Sequence, residues 1–380
     1  MKNLSPFKIE VEQTVLDDLQ YRLQHTRWTD EPEGADWSYG TNGAYLKQLL
    51  TYWQNDYDWR KHESALNVLP HFKAEIDGIN IHFIHVKGKG KNPKPLLLTH
   101  GWPDSFYRFY KAIPLLSDPE SAGGNSDQSF DLVIPSLPGF GFSDRVALNT
   151  DKVAALWAKL MTEVLGYDRY YAAGGDIGAI VTKSLANQQP GQVIAIHLTD
   201  VGYPNGQEDW STMSAAEQEF GQFIQHWWYS EGAYNMIQST KPQTLGYGLN
   251  DSPAGLAAWI IEKFNSWSDT NGDIENSFTK DELITNIMIY WVSQSINTSI
   301  RTYLENARAA WSGQPSPSAG YVQTPTGVSL FPAEAPAPIE WAQRMVNVKR
   351  FNKMEKGGHF AALEVPDAWA NELRSFFYNL

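Results

Sequence analysis

The sequence predicts a mostly parallel α/β sheet flanked by helices, with a helical lid inserted into it and a meander ahead of it. Three observations carry this. Short apolar runs alternate with stretches of helical period up to about residue 200, as buried parallel strands and their crossover helices do. The alternation stops near Tyr203, and residues 204 to about 310 are helical in pattern with aromatic residues at intervals. Strand texture then returns at residues 326–331 and 346–351. The expected divisions are an N-terminal helical meander over 1–70, a first part of the core over 71–202, a lid over 203–312, and a second part of the core over 313–380.

Taken in order, Val15, Leu16, Leu19 and Leu23 share one helical face, and residues 44–53 repeat that spacing. Residues 72–76 and 79–86 alternate apolar and polar side chains around Asp77-Gly78, which predicts a hairpin with a two-residue turn. Continuous apolar runs at 95–100, 131–135, 169–173 and 193–197 read as buried strands. Residues 153–165 and 179–188 read as helices between them. The prolines at 315–317 and 332–338 mark loops.

Composition removes several functions. The chain has 380 residues, and 42% hydrophobic against 19% charged residues excludes disorder. A net charge of −13 with no basic block argues against nucleic-acid partners, whose phosphates need neutralising. The absence of Cys excludes disulfides, thiol nucleophiles and iron–sulfur sites. No run of 18 apolar residues and no signal-like start point to a soluble, cytoplasmic protein without a membrane span. The 15 Trp suit a pocket for apolar ligands.

In such sheets ligands bind beyond the carboxyl ends of the strands, and the chemistry-bearing motifs lie there. Ala173-Gly-Gly-Asp-Ile-Gly178 follows one strand and opens a helix. It has the shape of a nucleophile elbow with Asp176 at the nucleophile position; the plainer reading is a strand–turn–helix with Asp176 as N-cap. His100-Gly-Trp-Pro103 follows the run 95–98, where a turn can aim the Trp102 N–H into the crevice. The Ile177 N–H is a second donor, and two make an oxyanion hole; Gly-Trp-Pro also serves simply to end a strand. His359, in Gly357-Gly-His-Phe-Ala361, comes last, as the base does in this chain order, with His100 a weaker rival. The acid is Glu334 or Asp200, since each follows a strand; Glu364 and Asp367 belong to the helix after His359.

Together these motifs resemble the microsomal-type epoxide hydrolases of the α/β-hydrolase superfamily over nearly the whole length. Pro135-Ser-Leu-Pro-Gly-Phe-Gly-Phe-Ser143, Lys241-Pro-Gln-Thr-Leu-Gly246 and Leu249-Asn-Asp-Ser-Pro-Ala-Gly-Leu-Ala-Ala-Trp259 add to the likeness. The resemblance implies an α/β-hydrolase fold, Asp176 as nucleophile, His359 as base and Glu334 as its acid, which tips the choice against Asp200. It implies two lid tyrosines, Tyr234 and Tyr303, with Tyr229 a nearby competitor for the first. It implies a small apolar epoxide as substrate, opened to a vicinal diol through a covalent ester, with no cofactor and no metal. Oligomeric state stays open, a homodimer included. Two departures stand out: Ile177 occupies a position where many members have Trp, and the membrane anchor of the animal members has no counterpart here. The alternatives are a haloalkane or fluoroacetate dehalogenase, which shares the Asp nucleophile but binds a halide, and a non-catalytic receptor on the same fold.

Overall fold

The computed structural model describes residues 4–206 and 208–380. Nine strands form one sheet: β1 (Leu4–Phe7), β2 (His71–Ile76), β3 (Ile79–Val86), β4 (Lys94–Thr99), β5 (Phe130–Pro135), β6 (Tyr170–Gly174), β7 (Val193–Leu198), β8 (Val322–Leu330) and β9 (Val346–Lys353). Their order is β1-β2-β3-β5-β4-β6-β7-β8-β9. From β5 to β9 every neighbouring pair is parallel, while β1, β2 and β3 join antiparallel at one edge. This is the α/β-hydrolase architecture. β5 and β6 are buried at every position, as mostly apolar strands covered on both faces are, and the one charged residue in β5, Asp131, is paired with Lys87 at 2.8 Å.

The hairpin forms as expected: Asp77 and Gly78 both take positive φ, 52° and 78°, the left-handed pair that a tight turn between twisted strands needs. β1 was not expected. Its four residues include Pro6 and lack an alternating pattern, so its pairing is dictated by β2, with Leu4 opposite Ala74 and Phe7 opposite His71. As an edge strand it tolerates the proline. The first segment is therefore not wholly helical, although Gln13–Gln24, Gly43–Asn55 and Trp59–Leu66 are helices.

Between β7 and β8 the chain leaves the sheet for a helical insertion, whose α-helices among the described residues are Ala215–Ser230, Ala233–Thr240, Pro242–Asp251, Pro253–Ser266, Lys280–Ser293 and Ile296–Trp311. Their starts are written in the sequence. Ser214 with Glu217 and Thr279 with Glu282 form capping boxes, and Pro242 and Pro253 open their helices. The N-terminal helices hold this insertion from outside. Arg22 pairs with Asp251 at 2.7 Å, Thr41 donates to the Ala258 carbonyl, Tyr52 donates to Asp281, and Tyr57 bonds Thr285. Among the described residues no helix is long and apolar enough to cross a membrane.

One feature of the topology positions the site. β4 lies between β5 and β6, so the chain proceeds from it in both directions, and Thr99 pairs with Gly174. The turns leaving β4 and β6 thus emerge side by side at a switch point, where a crevice opens.

Candidate active site

The turn after β6 is built around close approach. A Cβ on Gly174 would lie 2.3 Å from the Gly178 carbonyl oxygen, and one on Gly178 would lie 2.1 Å from that of Thr99. Only glycine fits, which lets the helix Ile177–Gln188 start hard against β4. Asp176 sits between them at φ 57° and ψ −131°. For a residue with a side chain this conformation costs about 1–3 kcal/mol and is kept where surroundings over-determine it. The Asp176 side chain makes no helix-capping hydrogen bond, so the N-cap reading does not describe it. Its carboxylate instead accepts from the Trp102 N–H at 2.8 Å and from the Ile177 N–H. A Cβ on Gly101 would strike that carboxylate, at 2.3 Å from Oδ1, which explains the glycine of the His-Gly-Trp-Pro turn.

His359 lies on the loop after β9. Its Nδ1 faces Glu334 Oε2 at 2.8 Å, while Nε2 makes no hydrogen bond and stands 3.9 Å from Asp176 Oδ2. Glu334, in the turn after β8, is fixed through Oε1 by the Ala335 N–H at 3.0 Å and the Tyr203 hydroxyl at 3.3 Å. Of the two acids weighed, Glu334 is thus the partner of His359, and Asp200 accepts the Asp176 backbone N–H at 2.7 Å. His100 is fully buried, with Nδ1 on the Gly101 carbonyl and Nε2 accepting from the Leu137 N–H, so neither nitrogen is free.

Tyr234 and Tyr303 come from separate lid helices and both are buried; Tyr229 is 87% exposed. The two rings lie 6.1 Å apart and both pack on Trp102, Tyr234 stacked at 5.5 Å and Tyr303 edge-on at 5.9 Å. The buried Tyr303 hydroxyl interacts with that of Tyr234 and has no other hydrogen-bond partner among the described residues. With Asp176, the two tyrosines line a cavity of about 1470 Å³ whose other walls include Ile177, Ile180, Trp227 and Trp228.

The electrostatics follow from burial and neighbours. Burial pushes the Asp176 carboxyl up, opposed by His359 and the two N–H donors. Burial disfavours the imidazolium of His359, but the charge and hydrogen bond of Glu334, with the charge of Asp176, more than offset it, and its pKa lies above the ordinary histidine value. Burial also opposes ionisation of Glu334, yet His359 holds it below the usual range. Both phenols stand well above their ordinary value, through burial first and the charge of Asp176 second. They therefore keep their protons at any working pH.

Asp104 and Arg108 escaped the sequence reading. One Asp104 oxygen accepts the Gly101 N–H at 2.9 Å; the other pairs with Arg108, which also donates to the His359 carbonyl. Both side chains are at most 3% exposed. This pair links the turn after β4 to the loop carrying His359. Its signal was a carboxylate directly after His-Gly-Trp-Pro with an arginine four residues on. Removing one partner of a buried ion pair leaves an uncompensated charge, so Arg108→Met is expected to lose about 3–5 kcal/mol of stability in denaturant unfolding. The double variant Asp104→Asn/Arg108→Met, which leaves no charge behind, is expected to lose less. Equal losses would mean that the unpaired carboxylate is not the cause.

Among the described residues no group of three or more His, Asp or Glu is placed to hold a metal ion. Residues 4–109 match the model for the epoxide hydrolase N terminus, and residues 94–245 match that for the alpha/beta hydrolase fold. Epoxide hydrolase 1 of Oryctolagus cuniculus is 38% identical, over 99% of this chain and 89% of its own. The crystal structure of juvenile hormone epoxide hydrolase from the silkworm Bombyx mori superposes with a TM-score of 0.83 at 35% identity, covering 99% of this chain and 93% of that one. The structure of Aspergillus niger epoxide hydrolase gives 0.85 at 30% identity, covering 99% and 96%. Full-length likeness of this degree, on an α/β-hydrolase sheet with a helical insertion, places the chain in the epoxide hydrolase family.

Proposed function

We propose that this protein hydrolyses epoxides to vicinal diols through a covalent ester on Asp176. The observation that carries the reading is a carboxylate facing the same cavity as two buried phenols, with a His–Glu pair behind it. An epoxide carbon is electrophilic through ring strain, but its leaving group is a strongly basic alkoxide. Asp176 attacks that carbon, the C–O bond breaks, and Tyr234 or Tyr303 gives its proton to the departing oxygen. Water, losing a proton to His359 Nε2, then adds to the carbonyl carbon of the ester. The oxyanion so formed sits against the Trp102 and Ile177 N–H groups; its collapse expels the diol oxygen, which takes the proton held by His359, and the proton left on the Asp176 carboxyl returns to the phenolate, restoring both groups.

The electrostatics suit this order. In the free enzyme the charge of Asp176 helps raise the His359 pKa. Esterification removes that charge, so His359 gives up its proton more readily in the state that needs a base. No cofactor or metal takes part in this scheme. The substrate is an uncharged, apolar epoxide, matched to a cavity with indole and aliphatic walls; Ile177 leaves room where many relatives carry an indole.

The test is His359→Gln. Ring opening is expected to proceed and ester hydrolysis to slow by on the order of 10³-fold or more. Intact-protein mass would then rise by the mass of the epoxide and stay raised. A variant that turns over normally without an adduct would place the base elsewhere.

A further inference from the structure

Asp200 was weighed above only as a partner for His359, and the structure gives it other work. It stands just past the end of β7, largely buried, and its Oδ2 accepts the backbone N–H of Asp176 at 2.7 Å. The three amides around the elbow thus divide. Those of Trp102 and Ile177 point to the Asp176 carboxylate, while that of Asp176 points away, to Asp200. The turn bearing Asp200 is itself secured. Lys183, 5% exposed on the helix after the elbow, donates to the Val201 carbonyl at 3.0 Å, and its charge favours the Asp200 carboxylate. Thr199 lies so close beneath that a Cβ on Gly175 would meet its hydroxyl at 2.2 Å.

We propose that Asp200 is a positioning residue for both half-reactions, holding the elbow in its uncommon backbone conformation by accepting the Asp176 N–H. The inference rests on Asp176 being the nucleophile. Its logic is geometric. At φ 57° the Asp176 N–H finds its partner outside the turn, at Asp200 Oδ2. An elbow released from Asp200 moves the carboxylate that attacks and the Ile177 N–H that later meets the oxyanion. Ring opening and ester hydrolysis should then suffer together, while the remote cavity walls that bind substrate stay in place. Burial raises the Asp200 carboxyl to about 6, with Glu334 and Asp176 adding to the rise, so it remains mostly a carboxylate, a strong acceptor, at neutral pH.

Three variants separate acceptor, charge and fold: Asp200→Ala removes the acceptor and the charge, Asp200→Asn keeps an acceptor without the charge, and Asp200→Glu keeps the charge with the acceptor displaced by a methylene. Single-turnover alkylation, followed by intact mass, and decay of the adduct are measured on folded protein, with KM from steady state. Asp200→Ala is expected to slow both steps on the order of ten- to a hundredfold with KM nearly unchanged. Asp200→Asn is expected to recover most of that loss, and Asp200→Glu to recover little. If Asp200→Ala does not fold, the contrast between Asn and Glu decides. Wild-type rates in Asp200→Ala, a loss confined to KM, or an Asn variant slower than the Glu variant would each overturn the proposal. Failure of the wild-type enzyme to form an adduct on Asp176 would instead overturn the functional reading beneath it.

Discussion

Asp176→Ala is expected to abolish turnover, on the order of 10⁵-fold below the parent enzyme, with the fold retained. No other group can take over. Asp200 also lines the cavity, but its Oδ2 is turned to the Asp176 backbone, and Glu334 is committed to His359. The parent enzyme should also mark the path of oxygen. In ¹⁸O-labelled water a single turnover is expected to leave label in the Asp176 carboxylate and none in the diol. On the proposed route the diol oxygen added first comes from Asp176 itself, so label reaches product only on later turnovers. Peptide mass spectrometry after one turnover reads this directly. Label in the first diol and none in Asp176 would mean direct attack by water, and the covalent route would be lost.

The second large effect concerns the lid. Either Tyr234→Phe or Tyr303→Phe alone is expected to keep measurable ring opening, since the remaining phenol still has a proton to give. The double variant leaves the alkoxide without an acid and is expected to lose on the order of 10⁴-fold in alkylation. Both rings pack on Trp102, so Phe preserves their packing and the loss is chemical rather than structural. An ester already formed on Asp176 should still hydrolyse, because the proposed route draws on His359 for that step. Rapid-quench measurement of the two steps separates them. A double variant that alkylates normally would favour the dehalogenase reading, where the leaving halide needs no proton.

Local patterns made much of the core readable. β4 to β7 are apolar on both faces, so each stands out as a run without alternation, and Asp77-Gly78 marks its own turn. β1 was hidden because its four residues carry no pattern of their own. Asp176 and His359 were visible because glycines crowd around them for steric reasons and because they come in a fixed chain order. Glu334 was harder, as two acids follow strands and only the fold decides which meets Nδ1. Tyr234 and Tyr229 are five residues apart on lid helices, and burial alone separates them. Arg108 and Asp200 each bond a backbone group of a distant segment, the His359 carbonyl and the Asp176 N–H, and a sequence offers no sign of which amide or carbonyl a side chain will find.

The ties from the N-terminal helices to the insertion divide it into parts of unequal freedom to vary. Arg22, Thr41, Tyr52 and Tyr57 grip residues 251, 258, 281 and 285, which lie in its third, fourth and fifth helices. None of those four ties reaches Ala215–Ser230 or Ala233–Thr240, which supply Trp227, Trp228 and Tyr234 to the cavity wall. A lineage can therefore reshape the wall through residues 215–240 while the braced helices stay under selection for fit to the first seventy residues. New specificities would arise by drift in one part, and lid swaps between distant relatives would succeed only when the outer brace travels with the braced part.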